Sequence, residues 1–182
     1  VVADVAHALE DMIRLWKSRS LKLDAAALKD WKAQIAKWKG IDCLQYTPNK
    51  DVIMPQYAIE RLYALTKDKD CYISTEVGQH QMWAAQFYKF EEPNRWMTSG
   101  GLGTMGYGLP AAVGMQAAHP KSLCICVAGD ASVLMNMQEM STAIQHGLPI
   151  KVFILNNQYM GMVRQWQQLL HGNRLSESYM DS

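Results

Sequence analysis

A carboxylate and a carboxamide each follow a short apolar run in this sequence, and their placement suggests that they act together. Asp130 comes just after the run 123–128, and Asn157 follows a second run at 150–155. The intervening residues 133–147 have the pattern of a helix. Parallel strands joined by one helix place their carboxyl ends at the same edge of a sheet, so we expect the two side chains to lie close together.

These two oxygen-bearing side chains suit a hard cation. Mg²⁺ typically takes few oxygens from the protein and shares the rest with phosphate groups, which fits the anionic oxygen of Asp130 and the neutral one of Asn157. Gly129 and the small residues Ala131 and Ser132 should let main-chain N–H groups at the start of the next helix approach a phosphate. The segment therefore predicts a phosphate-bearing cofactor held together with Mg²⁺.

A polar pair and a glycine-rich run could complete such a site. Gln79 and His80 follow an apolar segment at a predicted helix start, where they could donate to a phosphate or simply cap the helix. Further along, residues 101–106 fit G-x-G-x-x-G, which would suggest a nicotinamide or flavin dinucleotide site. The acidic residue expected about 20 positions later is missing, so we interpret the glycines as allowing close approach to a flat cofactor. Met105, inside this run, could equally be filling a core.

Composition sets the broad class. The chain has 182 residues, of which 49% are hydrophobic and 19% charged, with a net charge of +1, as expected for a soluble domain with a real core. A basic stretch at 14–39 could contact nucleic acid, although a solvated helical face is the simpler interpretation. No apolar run could span a membrane and no signal peptide is evident, so we expect no membrane partner. Because the net charge is close to zero, we also expect no nucleic-acid partner. The four cysteines lack zinc spacing and suit reduced, buried thiols.

Periodicity predicts an α/β fold with a parallel sheet flanked by helices. Loop-like residues at 40–55 suggest a domain boundary, and the missing initiator Met suggests a fragment. Glu76 and Glu139 are expected to have local structural roles. The predicted helices cover 4–17, 24–38, 56–67, 80–87, 109–118 and 133–147, and the predicted strands cover 71–75, 96–99, 123–128 and 150–155.

Three segments carry a resemblance to a known family. Residues 77–83, 98–106 and 156–166 read VGQHQMW, TSGGLGTMG and NNQYMGMVRQW, and Gly129-Asp130-Ala131 precedes Asn156-Asn157. Together they resemble the thiamine-diphosphate enzymes, and within them the catalytic (large) subunits of bacterial acetohydroxyacid synthases, also called acetolactate synthases. Ala131 departs from the Gly-Asp-Gly of the wider family, a change familiar in this branch. The resemblance is strong over 40–182 and weak over 1–39.

The resemblance implies an activity and an organisation. Residues 1–39 would be the helical tail of a central domain that carries FAD mostly upstream, and 40–182 the catalytic domain binding thiamine diphosphate and Mg²⁺, truncated at its C-terminal end. The enzyme would decarboxylate pyruvate and join the two-carbon unit to a second pyruvate or to 2-oxobutanoate, toward valine, leucine and isoleucine. Relatives are cytoplasmic herbicide targets, homodimers or homotetramers with a regulatory small subunit. Their activating Glu comes from a neighbouring subunit's N-terminal domain, so this chain alone should be inactive.

The resemblance also assigns roles to residues. Met105 would hold the cofactor bent, with Gln79 and His80 on its diphosphate, and the main-chain carbonyl of Tyr159 would join Asp130 and Asn157 on the metal. Other cofactor contacts would come from small or apolar residues: Gly103, Gly129, Ala131, Ser132, Met160, Gly161 and Met162. The substrate and herbicide channel would be bordered by Met162, Val163 and Trp166, where ordinary helix packing is the alternative. From about Gln167 the chain would enter a mobile segment that closes over the site.

Three other functions remain open at this point. The nearest is another thiamine-diphosphate enzyme acting on pyruvate, such as a decarboxylase, an oxidase or a catabolic acetolactate synthase. A dinucleotide-binding oxidoreductase would explain the glycine run. A non-catalytic interaction module that kept the fold is the third, but the coexistence of Asp130, Asn157, Gln79 and His80 argues against it.

Overall fold

The computed structural model describes residues 2–180, which contain eight helices, one 3₁₀ turn and four strands. The predicted α/β class is confirmed. One compact unit ends at Gln45 and the other begins at Tyr46. The helices are α1 (Val5–Ser18), α2 (Ala25–Lys39), α3 (Pro55–Thr66), α4 (Gln79–Phe87), α5 (Gly108–Ala118), α6 (Asp130–Val133), α7 (Glu139–Gln145) and α8 (Gly161–Leu170), and the strands are β1 (Cys71–Thr75), β2 (Trp96–Thr98), β3 (Leu123–Gly129) and β4 (Lys151–Leu155).

The first unit contains α1 and α2. Asp4 and Asp24 cap these helices, because their side chains accept hydrogen bonds from main-chain N–H groups of the first turns. Both helices lie where the periodicity predicts them. No residue of either helix is buried, however, and the apolar stripe of α1, including Met12 and Trp16, is exposed in the described structure.

The second unit is built on a four-stranded parallel sheet in the order β2-β1-β3-β4. The chain leaves β1 through α4 to reach β2 on one side, and then returns through α5 to β3 on the other side. Loops after β1 and β3 therefore diverge and leave a crevice at the carboxyl ends of these strands, where open α/β sheets bind ligands.

Strand β3 is buried on both faces, which explains its uninterrupted apolar sequence. Ile125 and Val127 pack with residues of α3 and β1 on one face. Cys124 and Cys126 point to the other face and pack with Leu109 and other residues of α5. The prediction of buried thiols is wrong for Cys43, which is exposed. The two cores pack against both faces of β3, and this packing fixes the strand end that borders the cleft.

The prediction of a single helix over 133–147 is wrong. The structure has α6 directly after β3, then a 3₁₀ turn at Leu134–Asn136, then α7. Asn136 explains the break, because its Nδ2 donates to the carbonyl oxygen of Gly106 at 2.6 Å and holds this turn against a distant loop. Such a contact cannot be read from local periodicity. The outermost residues of the two predicted domains, 1 and 181–182, lie outside the described residues.

Candidate functional site

The carboxyl edge of the sheet carries a cleft of about 210 Å³ between the segments that follow β1, β3 and β4. This volume is below the roughly 300–1,000 Å³ of a typical small-molecule site, so the described residues would enclose a cofactor only in part. All residues that the sequence predicted for the site line this cleft: Gln79, His80, Gly103, Met105, Gly129, Asp130, Ala131, Ser132, Asn157, Tyr159, Met160, Gly161, Met162, Val163 and Trp166.

Asp130 is the first residue of α6, at the end of the central strand β3. Its Oδ2 atom is buried and has no hydrogen-bond partner among the described residues. An unpaired buried carboxylate oxygen is costly, and a bound cation is one way to satisfy it. This atom is the strongest sign that the cleft can hold a positively charged group.

Asn157 stands two residues beyond the end of the neighbouring strand β4. Its Oδ1 accepts a hydrogen bond from the main-chain N–H of Tyr159 at 3.0 Å, which leaves its second lone pair free to bind a cation. Among residues 2–180, no group of three or more His, Cys, Asp or Glu side chains is placed so that it could hold a metal ion. A metal ion here would therefore depend on one carboxylate, one amide and main-chain oxygens, a set that suits Mg²⁺.

His80 lies beneath the turn between β3 and α6. Its Nε2 is 3.4 Å from Ser132 Oγ, which also accepts from the main-chain N–H of Gly129 at 3.1 Å. Burial lowers the pKa of His80 to about 4, opposed by a hydrogen bond with the main chain of Glu76. The imidazole is therefore neutral near pH 7, and it can position a phosphate only through hydrogen bonding, without a positive charge.

Gln79 bridges two walls of the cleft, because its Nε2 donates to Gln165 Oε1 of α8 at 3.2 Å. Its side chain rests against Gly161. A Cβ atom at Gly161 would overlap Gln79 Oε1 and would lie 2.9 Å from Asn157 Nδ2. Similarly, a Cβ atom at Gly129 would lie 2.8 Å from His80 Nδ1. Both glycines therefore lie in close contact with the polar side chains of the cleft.

Apolar side chains form the remaining wall. Met105 enters from the loop before α5, and Met162, Val163 and Trp166 come from the first turns of α8. Trp166 is 55% exposed, so much of its ring is available for contact with a ligand or with another part of the protein. The cleft thus has a polar end beside Asp130 and an apolar end beside α8.

Four lining residues were not predicted from the sequence: Val77, Gly78, Trp83 and Leu155. Trp83 could have been found, because it stands four residues after Gln79 on α4 and so shares its face. Val77 and Leu155 stand two residues before the predicted residues Gln79 and Asn157, but their ordinary apolar side chains carry no chemical signal.

The segment after α8 returns to the cleft. The helix continues to Leu170, beyond the predicted start of a mobile segment at Gln167. Main-chain hydrogen bonds of 2.8 Å then join Met160 to Ser178 and Met180 to Gln158.

No helix within residues 2–180 is long and apolar enough to cross a membrane.

Comparison with known proteins gives concordant results. Residues 76–182 match the model of the thiamine pyrophosphate enzyme C-terminal TPP-binding domain. Over all 182 residues the chain is 48% identical to the acetolactate synthase isozyme 3 large subunit of Escherichia coli and 44% identical to an acetolactate synthase large subunit of Haemophilus influenzae. It is 45% identical over 180 residues, 99% of the chain, to the acetolactate synthase large subunit of Porphyra purpurea.

The chain covers 32%, 31% and 30% of these three relatives, so it spans about a third of their length. The resemblance to acetolactate synthase large subunits is confirmed by these identities. Together with the domain match and the cleft at the sheet edge, they show that this chain belongs to the thiamine pyrophosphate enzyme family.

Proposed function

We propose that the full-length protein containing this chain is the large subunit of an acetolactate synthase. It would decarboxylate pyruvate and join the two-carbon unit to a second pyruvate or to 2-oxobutanoate, in the first common step of branched-chain amino acid synthesis. The observation that carries this proposal is the 42–48% identity to proteins of that name over essentially the whole chain. Cleft geometry alone would not choose among thiamine-dependent enzymes.

The residues that line the cleft support a site for thiamine diphosphate and Mg²⁺, which this part of the protein would enclose only in part. Asp130, with its unpaired buried Oδ2, and Asn157 would hold the metal together with the Tyr159 carbonyl. Gly129 lies against His80 and Gly161 lies against Gln79, so these two polar side chains would approach diphosphate oxygens close to the main-chain N–H groups of the glycines. When bound, thiamine diphosphate supplies a carbon nucleophile for the keto carbon and accepts the charge left when CO₂ departs.

Side chains of this chain would orient the reactants and exclude water. His80 stays neutral and Gln79 is held by Gln165, so both can donate hydrogen bonds in fixed directions. Met105 would support the bent cofactor from below. Met162, Val163 and Trp166 would form a dry border for the second substrate and for herbicides, where loss of water strengthens electrostatic interactions.

The remaining components lie beyond this chain. We propose that residues 1–39 are the tail of an FAD-carrying domain and that 40–182 form the cofactor-binding catalytic domain. The activating Glu would come from another subunit, so the isolated chain would be inactive. The relatives are named large subunits, which supports a separate regulatory small subunit. We further propose that the catalytic chains form a homodimer or homotetramer in the bacterial cytoplasm.

The test uses the full-length protein with pyruvate, Mg²⁺, thiamine diphosphate and FAD. Acetolactate, acetaldehyde, acetyl phosphate and CO₂ are measured for the wild type, for Asp130→Ala and for Glu91→Gln, an exposed carboxylate outside the cleft. We expect acetolactate that depends on Mg²⁺, is lost in Asp130→Ala and is kept in Glu91→Gln.

Other products would change the assignment. Acetaldehyde or acetyl phosphate as the main product would mean a pyruvate decarboxylase or oxidase with the same cofactor. Acetolactate formed without FAD would indicate a catabolic synthase. If pyruvate is not consumed under any of these conditions, the synthase proposal is wrong.

A further inference from the structure

A buried carboxylate without an assigned role lies behind the cleft. Glu76 follows the last residue of β1, and its side chain is fully buried. Its main-chain N–H donates to the carbonyl oxygen of Val127 in β3 at 2.9 Å, so the sheet fixes its backbone. Burying a carboxylate is costly unless hydrogen bonds satisfy it, so its partners indicate what it does.

Both carboxylate oxygens of Glu76 accept hydrogen bonds from the main chain near the start of α5. Oε2 accepts from the N–H of Gly106 at 2.7 Å, and Oε1 accepts from the N–H of Leu109 at 2.9 Å. The N-cap residue Tyr107 makes no side-chain capping bond. Glu76 therefore supplies, from another strand, the acceptor and the negative charge that a helix N-terminus favours.

Gly106 is held on both sides of its main chain. Its N–H is bound by Glu76, and its carbonyl oxygen accepts from Asn136 Nδ2 at 2.6 Å. Its φ angle of +91° is one that residues other than glycine rarely adopt. Because Met105 directly precedes Gly106, these two side chains set the direction in which Met105 leaves the backbone toward the cleft.

We propose that Glu76 is a positioning residue for Met105, acting through Gly106 to hold the methionine side chain in the cleft before any cofactor binds. The inference rests on the proposed function to the extent that Met105 contacts thiamine diphosphate. It assigns to Glu76 no contact with cofactor or substrate. Its role is preorganisation, which lowers the cost of ordering the site on binding.

The chemistry requires a carboxylate at this position. A glutamine would place an NH₂ group against one of two N–H donors, which breaks one hydrogen bond and leaves a buried donor unpaired. An aspartate keeps the charge but is one methylene shorter, so it could not reach both Gly106 and Leu109. Glu76→Gln and Glu76→Asp should therefore each release the loop.

Two further variants separate positioning from general stability. Asn136→Ala removes the other bond to Gly106 and should act in the same direction as Glu76→Gln. Ser74→Ala removes a buried hydrogen bond of 2.7 Å from Ser74 Oγ to the carbonyl oxygen of Gly108. It lies at the same helix start and costs a comparable bond, but it does not touch Gly106, so it is the matched control.

The experiment uses the full-length protein labelled with ¹³C-methyl methionine, with the Met105 signal assigned through Met105→Leu. Met105 chemical shifts are recorded without cofactor, and the dissociation constant for thiamine diphosphate is measured by calorimetry with Mg²⁺ present. For Glu76→Gln and Asn136→Ala we expect a displaced Met105 signal and a dissociation constant raised about tenfold or more. Ser74→Ala should lower the unfolding temperature without either change.

The results distinguish a positioning role of Glu76 from a purely structural one. An unmoved Met105 signal in Glu76→Gln, or an equal displacement in Ser74→Ala, would overturn the proposal. If Glu76→Gln does not fold, Glu76→Asp is measured in its place with the same expectation. Acetolactate formation is not the readout. If the wild type makes no acetolactate while Glu76→Gln still displaces the Met105 signal, the proposed function is refuted and the positioning role stands.

Discussion

Replacing Asp130 with asparagine should make the ligand-free protein more stable and abolish its response to Mg²⁺. The reason is the buried Oδ2 atom, which has no hydrogen-bond partner in the described structure. In the absence of a cation this oxygen is a liability for folding. The neutral, isosteric amide of the asparagine side chain removes the charge while keeping the shape of the site.

The magnitude follows from two opposing effects. An unpaired buried polar group costs about 1–3 kcal/mol, and more when it is charged. Asp130 also stands in the first turn of α6, where a negative charge contributes about 0.3–1 kcal/mol. Because only one of its two oxygens is buried and unpaired, the lower end of the first range, about 1 kcal/mol, applies. The net expectation is a gain of up to about 0.7 kcal/mol in the free energy of unfolding of the Asp130→Asn protein.

The assay is urea unfolding of the full-length protein, followed by tryptophan fluorescence with EDTA and again with Mg²⁺ and thiamine diphosphate. At ligand concentrations 100-fold above the dissociation constant, the wild type should gain about 2.7 kcal/mol, and Asp130→Asn should gain almost nothing. Glu91→Gln should behave as the wild type. If Asp130→Asn is less stable than the wild type in EDTA and still responds to the ligands, the assignment of Asp130 to a cation is wrong.

Three further predictions concern packing and protonation. The pKa of His80 falls to about 4 on folding, so the stability that its neutral ring contributes is present above pH 6.5 and is lost as the pH falls toward 4, by up to about 3 kcal/mol. The urea unfolding midpoint should therefore fall more between pH 7 and pH 4.5 for the wild type than for His80→Gln. An equal fall in the two proteins would contradict this prediction. A Cβ atom at Gly108 would lie 2.5 Å from the Glu76 main-chain nitrogen, so Gly108→Ala should lower the free energy of unfolding by about 3 kcal/mol or more. Gly114 lies in the same helix with open space around it, so Gly114→Ala should raise the free energy of unfolding by about 0.5–1 kcal/mol in the same urea assay. Gly161→Ala would displace the flexible end of a glutamine, so calorimetry should show weaker thiamine diphosphate binding with an unfolding midpoint close to that of the wild type.

The strands and the cleft were predictable because their signals are local. β3 and β4 are short, mainly apolar runs, whereas β1 ends in Ser74 and Thr75. β3 is buried on both faces, so burial and composition coincide there. Parallel topology then requires their carboxyl ends to meet, which brings Asp130 and Asn157 to one edge without any knowledge of side-chain contacts. An acid and an amide at strand ends are unusual choices for packing alone, which is why the sequence suggests a cation site at this edge.

What could not be predicted depends on contacts between distant parts of the chain. The break of the helix after α6 is explained by the hydrogen bond from Asn136 to Gly106, thirty residues away. The partners of Glu76 are equally remote, so its sequence neighbourhood suggested only a local role. For α1 and α2 the periodicity identifies an apolar face correctly, but periodicity does not say what covers such a face.

The parallel pairing of the sheet has a consequence for the order in which the chain can fold. β1 pairs with β3, fifty-two residues later in register, and β3 pairs with β4 after a further crossover. Non-local pairings of this kind are slow to form, because loop closure costs entropy before the contacts stabilise it. Asp130 and Asn157 become neighbours when β3 pairs with β4, and Gln79 and His80 join them only when β1 has paired with β3. We therefore expect cofactor binding to trap an already assembled sheet, and added Mg²⁺ and thiamine diphosphate to slow unfolding without accelerating refolding.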